Sequence, residues 1–253
     1  MNKLQLLSAT SFVLLLTSLT ANFLLFRELE NTYISFYQVS LNPLGIGKYS
    51  NTSQSKNAID NSLSKVVFFG DSRAYGWQFP NNKNWKFVNR GISGQTSAQI
   101  RWRFQQHIAP LKPKVIVMQL GVNDLRMLPA KTQTRADIVK NCQQNISQII
   151  ELATEIEATV ILTTVFPLGS GSVPPRYRPF WASLADMEQN INEINQYLYT
   201  LQDRTIILDA HTLLEEKDPK KEKYYRDLLH LNRRGYKMLN QELNKILTEI
   251  HTN

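Results

Sequence analysis

Short apolar runs that recur between helix-length segments constrain the fold of this chain most strongly. They are rich in β-branched residues and lie at about 65–70, 86–89, 114–120, 159–165 and 205–208. Nearly continuous apolar strands that alternate with helices are typical of a parallel sheet covered on both faces. The sequence therefore predicts a three-layer α/β/α domain built on a five-stranded parallel sheet.

Helical periodicity occupies most of the segments between the apolar runs. A first helix is expected to start after Thr96 or Ser97, and longer helices are expected at about 134–157, 181–202 and 233–250. Between the fifth strand and the last helix, a basic connection is expected to lead to Asp227 and His230. The sequence therefore predicts that strands and helices alternate up to the C-terminal helix.

The N-terminal segment from Leu4 to Phe26 contains 23 residues without a charge. As a helix it would extend roughly 34 Å, enough to cross a hydrocarbon core of about 30 Å. We interpret it as a transmembrane signal anchor within residues 1–30; a cleaved signal peptide, which would release a secreted protein, is the alternative. In both cases the rest of the chain is expected outside the cytoplasm, with a connector at 31–63 and a folded domain at 64–253.

The composition excludes several kinds of site. The one cysteine, Cys142, can form neither an intrachain disulfide nor a cysteine-based zinc site, and no metal or cofactor is expected. The net charge of +8 includes a local excess at 217–237, where eight Lys and Arg residues accompany three Asp and Glu residues. No nucleic-acid recognition motif accompanies this charge. A solvated face and attraction to anionic lipids or an anionic substrate remain as alternatives.

Polar residues follow the predicted strands at the points where the strands end. Ser72 follows the first strand, Gly94 the second and Asn123 the third, while Asp227 and His230 lie beyond the fifth. Ligands of parallel α/β sheets bind outside the carboxyl ends of the strands. The sequence therefore predicts that these five residues meet at one edge of the sheet.

A serine hydroxyl is a weak nucleophile at neutral pH and requires a base within hydrogen-bond distance. His230 follows Asp227 by three residues, a spacing at which the carboxylate can orient the imidazole. His211, two residues after Asp209, is the competing base. We favour His230 as the base and interpret Asp209 as a structural residue at a strand end.

Acyl transfer also requires hydrogen-bond donors directed at the developing oxyanion. The backbone N–H groups of Ser72 and Gly94 and the side-chain amide of Asn123 could supply three. A turn residue at Gly94 and a helix cap at Asn123 are the alternatives. A phosphate-binding loop is not indicated, because no Gly-Lys-Ser/Thr motif follows the glycines.

Four sequence blocks carry a resemblance to a known family. They are Gly70-Asp71-Ser72, Gly94 within Gly91-Ile92-Ser93-Gly94-Gln95-Thr96, Gly121-Val122-Asn123-Asp124, and Asp227-Leu228-Leu229-His230. In this order they resemble the blocks of the SGNH (GDSL-like) hydrolases over about 66–240. The stretches 112–117 and 229–236 are most similar to the branch that contains the platelet-activating-factor acetylhydrolase catalytic subunits.

This resemblance implies a flavodoxin-like sheet of strand order 2-1-3-4-5 and a carboxylic ester hydrolase that needs no metal or cofactor. It implies Ser72 as the nucleophile, His230 as the base and Asp227 as the residue that orients the base. Ser72, Gly94 and Asn123 would form the oxyanion hole. Arg73 stands where the family often has leucine, which places a cation next to the nucleophile in the sequence.

The residues expected at the rim of the substrate pocket are Arg73, Trp77 and the aromatic residues Tyr177, Phe180 and Trp181 of the loop 169–181. Ordinary packing is the alternative for these aromatic residues. The expected substrates are small acyl or acetyl esters on envelope glycans, or lysophospholipids and other lipid esters near a membrane. Non-catalytic binding or assembly at the cell envelope is the alternative function, and the sequence indicates no oligomeric state.

Overall fold

The computed structural model describes residues 3–49, 63–127 and 133–252, and of residues 176, 177 and 180 only the backbone. The chain forms two compact units, Met1–Pro43 and Leu44–Asn253. The first contains one helix, α1 (Lys3–Leu41), none of whose residues is buried. By length and composition this helix could cross a membrane, although a signal sequence meets the same criteria.

Helix α1 is longer than the expected anchor within residues 1–30, because it continues to Leu41 through the first part of the expected connector. Residues 31–41 contain no glycine or proline, so nothing in this stretch breaks the helix. The first proline, Pro43, follows two residues after the helix ends. Residues 44–49 belong to the second unit and include a short 3₁₀ helix, Ile46–Tyr49.

The second unit contains the predicted five-stranded parallel sheet. All neighbouring strands pair in parallel, in the order β2-β1-β3-β4-β5, which confirms the expected 2-1-3-4-5. The strands are β1 (Lys65–Gly70), β2 (Lys86–Gly91), β3 (Val115–Gln119), β4 (Thr159–Thr163) and β5 (Ile206–Leu208).

Helices cover both faces of this sheet, and the central strand β1 shows how the core is divided. Val67 and Phe69 point into one apolar core, while Val66 and Phe68 point into the other. Successive side chains of a strand face opposite sides, so a strand buried on both faces must be apolar throughout. The predicted three-layer α/β/α architecture is therefore confirmed.

The helices of the second unit differ from the expectation in several places. The helix expected after Thr96 is broken at Arg103 into two, and the basic connection after β5 contains a helix capped by Asp209, whose carboxylate accepts a hydrogen bond from Thr212 N–H at 3.2 Å. The helices are α2 (Ser72–Tyr75), α3 (Ser97–Trp102), α4 (Phe104–His107), α5 (Val122–Leu125), α6 (Arg135–Glu155), α7 (Leu184–Tyr199), α8 (Ala210–Lys217) and α9 (Arg233–Thr252). Two further 3₁₀ helices are Ala109–Leu111 and Pro175–Phe180.

The carboxyl ends of β1, β2 and β3 lie side by side, and a close backbone contact sets the turn after β1. A Cβ atom on Gly70 would lie 1.7 Å from the carbonyl oxygen of Gln119, and Gly70 has a φ of 151°. Only glycine avoids this overlap and adopts this conformation without strain. The turn that follows β1 therefore depends on a residue without a side chain.

We predict that Gly70→Ala lowers the free energy of unfolding by about 3 kcal/mol or more, because overlap adds to backbone strain. Gly94→Ala is the matched control, since its φ is also positive, at 80°, but its Cβ would meet no atom within 4 Å. We expect it to lose about 1–2 kcal/mol. Denaturant unfolding of the detergent-solubilised chain measures both, and equal losses would contradict the role assigned to the contact with Gln119.

Candidate functional site

Ser72 is the first residue of α2, at the point where β1 ends. The preceding Asp71 caps this helix, and its carboxylate accepts a hydrogen bond from Arg73 N–H at 2.8 Å. Asp71 is fully buried, and this burial raises the pKa of Asp71 to about 6. Asp71 therefore stabilises the turn, while Ser72 lies at the cleft described below.

Ser72, His230 and Asp227 form a continuous hydrogen-bonded series. The Ser72 Oγ atom lies 2.9 Å from His230 Nε2. His230 Nδ1 lies 2.8 Å from Asp227 Oδ1 and 3.0 Å from Oδ2. A proton on Nδ1 leaves Nε2 as the acceptor for the serine hydroxyl. This arrangement can accept the serine proton when the hydroxyl attacks an electrophile.

A short hairpin positions His230 next to its carboxylate. Tyr225 pairs with Leu231 in an antiparallel bridge, and Arg226 N–H donates to the His230 carbonyl at 2.8 Å. In the turn of the hairpin, Asp227 Oδ1 also accepts the backbone N–H groups of Leu229 at 3.0 Å and His230 at 2.9 Å. The three-residue spacing thus allows one carboxylate to hold both the turn and the imidazole.

The surroundings of His230 favour its neutral form. Partial burial lowers the pKa of His230, and this effect exceeds the opposing influence of Asp227. Partial burial acts to raise the pKa of Asp227, but hydrogen bonds from Leu229 N–H and His230 lower it overall. At neutral pH the site therefore combines an uncharged imidazole with a charged carboxylate.

The other two expected residues, Gly94 and Asn123, line the same cleft as Ser72 and His230. Asn123 Nδ2 donates to the Gln95 carbonyl at 2.9 Å, which ties α5 to the loop after β2. The Asp124 carboxylate accepts Ser97 N–H at 2.9 Å and Ser97 Oγ–H at 2.6 Å. Asn123 and the residue after it thus bind the residues that follow Gly94, which connects the two segments.

The cleft has a volume of about 690 Å³ and opens beside Ser72. Gly94 leaves it open on one side, since no atom lies within 4 Å of a Cβ placed there. Three arginines line it, Arg126, Arg226 and Arg233. The sequence predicted the small residues of this cleft but not these cations.

The structure corrects the expectation that Arg73 and Trp77 contact substrate. Both side chains are buried, and neither lines the cleft. One residue along an α-helix corresponds to a rotation of about 100°, so Arg73 faces the interior when Ser72 faces the cleft. Trp77 Nε1 donates to Asn240 Oδ1 at 2.8 Å, and its ring packs against Phe68.

Arg73 connects the helix of Ser72 to the hairpin of His230. Its Nε donates to the Leu229 carbonyl at 2.7 Å and its Nη1 to the Phe166 carbonyl at 3.3 Å. Burial lowers the pKa of Arg73, while the nearby Asp71 carboxylate counteracts this effect. A charged donor thus holds the backbone of the residue that immediately precedes His230.

The competing base, His211, lies elsewhere. It lines a separate cavity of about 120 Å³, and its Nδ1 is 3.8 Å from Glu215 Oε2. Of the loop expected at the rim, the side chains of Tyr177 and Phe180 lie outside the described residues. Trp181 is half-buried, with its ring centroid 5.0 Å from the guanidinium carbon of Arg126.

Gln95 and Arg103 support the loop of Gly94, and sequence reasoning did not identify them. The buried Arg103 donates to the Gln95 side chain, to the Arg90 carbonyl at 2.7 Å and to the Gly70 carbonyl at 2.8 Å. Gln95 Nε2 donates to the Leu44 carbonyl at 2.9 Å. An arginine in a helical segment normally indicates an exposed position, so the sequence gives no signal for this one.

Segment 44–49 packs against the same region. His107 Nε2 lies 3.0 Å from the Ile46 carbonyl, and Tyr49 Oη–H donates to the Gly91 carbonyl. Tyr49 is almost fully buried. Segment 44–49, which precedes the first strand, thus packs next to the loop of Gly94.

The profile of the GDSL-like Lipase/Acylhydrolase family matches residues 68–238, a range that contains all five residues expected at the sheet edge. The chain belongs to the GDSL-like lipase/acylhydrolase family. A structural neighbour of this GDSL-like protein, a GDSL-like lipase from Bacteroides thetaiotaomicron, superposes with a TM-score of 0.64 at 22% identity over 82% of this chain and 98% of that chain. This likeness agrees with the fold described above.

Two curated relatives are similar to part of this GDSL-like protein. An arylesterase from Vibrio mimicus is 27% identical over 48% of this chain and 61% of its own length. The uncharacterized lipoprotein YqeF from Bacillus subtilis (strain 168) is 30% identical over 42% of this chain and 50% of its own length. The chain thus spans about half to three fifths of the length of these relatives.

We predict that Arg73→Met lowers the free energy of unfolding by about 2–3 kcal/mol, because two carbonyls lose a charged donor and Asp71 stays buried without its nearby cation. The control is Arg204→Met, since the Arg204 side chain forms a partly exposed ion pair with Glu151 at 3.9 Å. Denaturant unfolding measures both variants, and we expect the control to change the free energy of unfolding by less than about 1 kcal/mol. Unchanged or higher stability of Arg73→Met would mean that the cost of burying the charge exceeds its hydrogen bonds.

Proposed function

We propose that this protein is a serine esterase that cleaves carboxylic esters through an acyl-enzyme, with Ser72 as nucleophile, His230 as general base and Asp227 as the residue that orients His230. The observation that carries the proposal is the hydrogen-bonded series from Ser72 Oγ to His230 Nε2 and from His230 Nδ1 to Asp227. Membership of the GDSL-like lipase/acylhydrolase family supports the same reaction class.

In the first half of the reaction, Ser72 Oγ attacks the ester carbonyl carbon and His230 Nε2 takes the hydroxyl proton. The bond from the carbonyl carbon to the alcohol oxygen then breaks, and this oxygen leaves with the proton from His230. In the second half, a water molecule attacks the acyl-serine and transfers its proton to His230. The bond from the acyl carbon to Ser72 Oγ then breaks, the carboxylic acid leaves, and Ser72 Oγ takes the proton from His230 Nε2.

The negative charge that develops on the carbonyl oxygen needs donors that are already in place. We assign this role to the backbone N–H groups of Ser72 and Gly94 and to the side-chain amide of Asn123. An amide nitrogen carries two hydrogens, and the bond to the Gln95 carbonyl uses one of them. The second remains for the substrate.

We further propose that helix α1 anchors the protein in a membrane with the second unit outside the cytoplasm. The length and composition of α1 support the membrane anchor, and the partial similarity to a lipoprotein supports a place in the cell envelope. Lipid esters and acylated glycans of the cell envelope are the substrates that fit such a location. We also propose that the protein belongs to the branch that contains the platelet-activating-factor acetylhydrolase catalytic subunits, because residues 112–117 and 229–236 resemble that branch.

We predict that Ser72→Ala reduces hydrolysis of p-nitrophenyl acetate at least about 10³-fold and abolishes labelling by a fluorophosphonate probe. His230→Ala should be similarly inactive. His211→Ala is the matched control and should retain activity, because His211 lies in a different cavity. Equal labelling of wild type and Ser72→Ala would contradict the esterase proposal and favour a binding or assembly role at the cell envelope.

We predict that kcat/KM falls on acidification through an apparent pKa below 6.5, the ordinary value for histidine, because burial lowers the pKa of His230. Protonated His230 cannot accept the serine proton, so activity is retained above this pKa and lost below it. The pH profile of kcat/KM for p-nitrophenyl acetate hydrolysis measures this apparent pKa. An apparent pKa clearly above 6.5 would contradict a neutral, partly buried base.

We predict that a cysteine introduced at the exposed Glu216 reacts with a membrane-impermeant maleimide added to intact cells. The native Cys142 is fully buried and provides the unlabelled background in the unmodified chain. Labelling of Glu216→Cys only after the cells are lysed would place the second unit in the cytoplasm.

A further inference from the structure

Positive charge surrounds the cleft that contains Ser72. Arg126, Arg226 and Arg233 line this cleft, and Arg233 also lines an adjoining groove of about 420 Å³ together with Arg234 and Lys237. Among the residues that the structure describes, no Asp or Glu lines either cavity. A ligand in the cleft therefore meets several cations and no carboxylate in the lining.

Two of these arginines lie next to His230. Arg226 is its neighbour across the hairpin, through the hydrogen bond from Arg226 N–H to the His230 carbonyl. Arg233 is the first residue of α9, three residues after His230. Arg226 Nε forms an exposed ion pair with Asp227 Oδ2 at 3.3 Å. Arg233 Nε donates a long hydrogen bond to Gln78 Oε1 at 3.4 Å.

Both arginines are accessible to a ligand. The Arg226 side chain is 67% exposed despite its contact with Asp227, and Arg233 is also exposed. A guanidinium group presents several N–H donors in a planar fork that matches carboxylate and phosphate oxygens. Two such groups beside one histidine form a surface suited to an anion.

The direction of proton transfer determines which part of an ester reaches these arginines. The alcohol oxygen must lie near His230 Nε2, because it leaves with the proton from that atom. The carbonyl oxygen points instead to the donors assigned at Gly94 and Asn123. The alcohol part of the ester therefore extends on the side of His230, where Arg226 and Arg233 lie.

We infer that the substrate is an ester whose alcohol part carries an anionic group, a carboxylate or a phosphate, and that Arg226 and Arg233 bind this group. The inference rests on the proposed esterase function and narrows its substrate class. Cations at the mouth of a cleft also raise the local concentration of an anionic substrate. The adjoining groove with Arg234 and Lys237 extends the same charge along α9.

Four synthetic esters test the inference with the full-length protein. In 4-acetoxybenzoate and 4-acetoxyphenyl phosphate, the anion is on the alcohol part. Methyl 4-acetoxybenzoate is the uncharged analogue, and monophenyl succinate carries its anion on the acyl part. Each kcat/KM is compared between wild type and the double variant Arg226→Gln/Arg233→Gln, so that the intrinsic reactivity of each ester cancels.

We expect the double variant to lose on the order of 10-fold in kcat/KM on at least one ester with an anionic alcohol part, mainly through a higher KM. The loss on methyl 4-acetoxybenzoate and on monophenyl succinate should stay below about 3-fold. A loss restricted to the carboxylate or to the phosphate ester identifies which anion is bound. The control Arg204→Gln/Lys245→Gln removes the same charge from surface ion pairs outside both cavities and should change none of the four rates beyond 3-fold.

Two results would overturn the inference. One is an equal loss on all four esters, or on monophenyl succinate alone, since the arginines would then not recognise the alcohol part. The other is no loss on any ester.

Failure of the esterase proposal is distinguishable, because hydrolysis of the uncharged ester would then not depend on Ser72. In that case the anion site is still tested by the binding of 4-hydroxybenzoate or 4-hydroxyphenyl phosphate to Ser72→Ala, measured by calorimetry. The same measurement is made on Ser72→Ala that also carries Arg226→Gln/Arg233→Gln. Loss of binding in this triple variant would support the anion site, and unchanged binding would refute it.

Discussion

The hydrogen bond between Ser72 and His230 joins segments that are 158 residues apart in the chain, and its geometry depends on a buried cation. Arg73 follows the serine and holds the carbonyl of Leu229, the residue before the histidine, at 2.7 Å. In addition, Tyr236 Oη–H donates to the backbone carbonyl of Arg73 at 2.9 Å. The immediate neighbours of both reacting side chains are thus linked to each other, while the side chains themselves stay at the cleft.

The sequence allowed a large part of this architecture to be predicted. Apolar runs of four to seven residues are compatible with burial on both faces of a parallel sheet, and all five runs became strands. The order of the strands came from the resemblance to a family, since strand composition alone does not determine which strands are neighbours. Because strand ends of a parallel sheet share an edge, polar residues far apart in the chain were expected near one another, and Ser72, Gly94, Asn123 and His230 line one cleft.

The parts that could not be predicted depend on where long polar side chains point. A cation next to a proposed nucleophile suggested substrate contact, yet Arg73 is fully buried, because its position on α2 directs it inward. Arg103 is also fully buried, and it interrupts the helix expected after Thr96. Both arginines donate to backbone carbonyls of distant segments, and a carbonyl has no sequence signature. Two cations of the cleft, Arg226 and Arg233, were hidden for a related reason: 217–237 contains eight Lys and Arg residues, so its composition does not distinguish these two from their neighbours.

Segment 44–49 determines where the folded domain begins. Its backbone carbonyls satisfy Gln95 and His107, and Gln95 in turn accepts the amide of Asn123 through its own carbonyl. A soluble fragment that starts at the first strand would lack these acceptors and would leave buried polar groups without partners under the loop of Gly94. The smallest intact domain therefore begins no later than Leu44, and a fragment without α1 has to start at residue 42, 43 or 44.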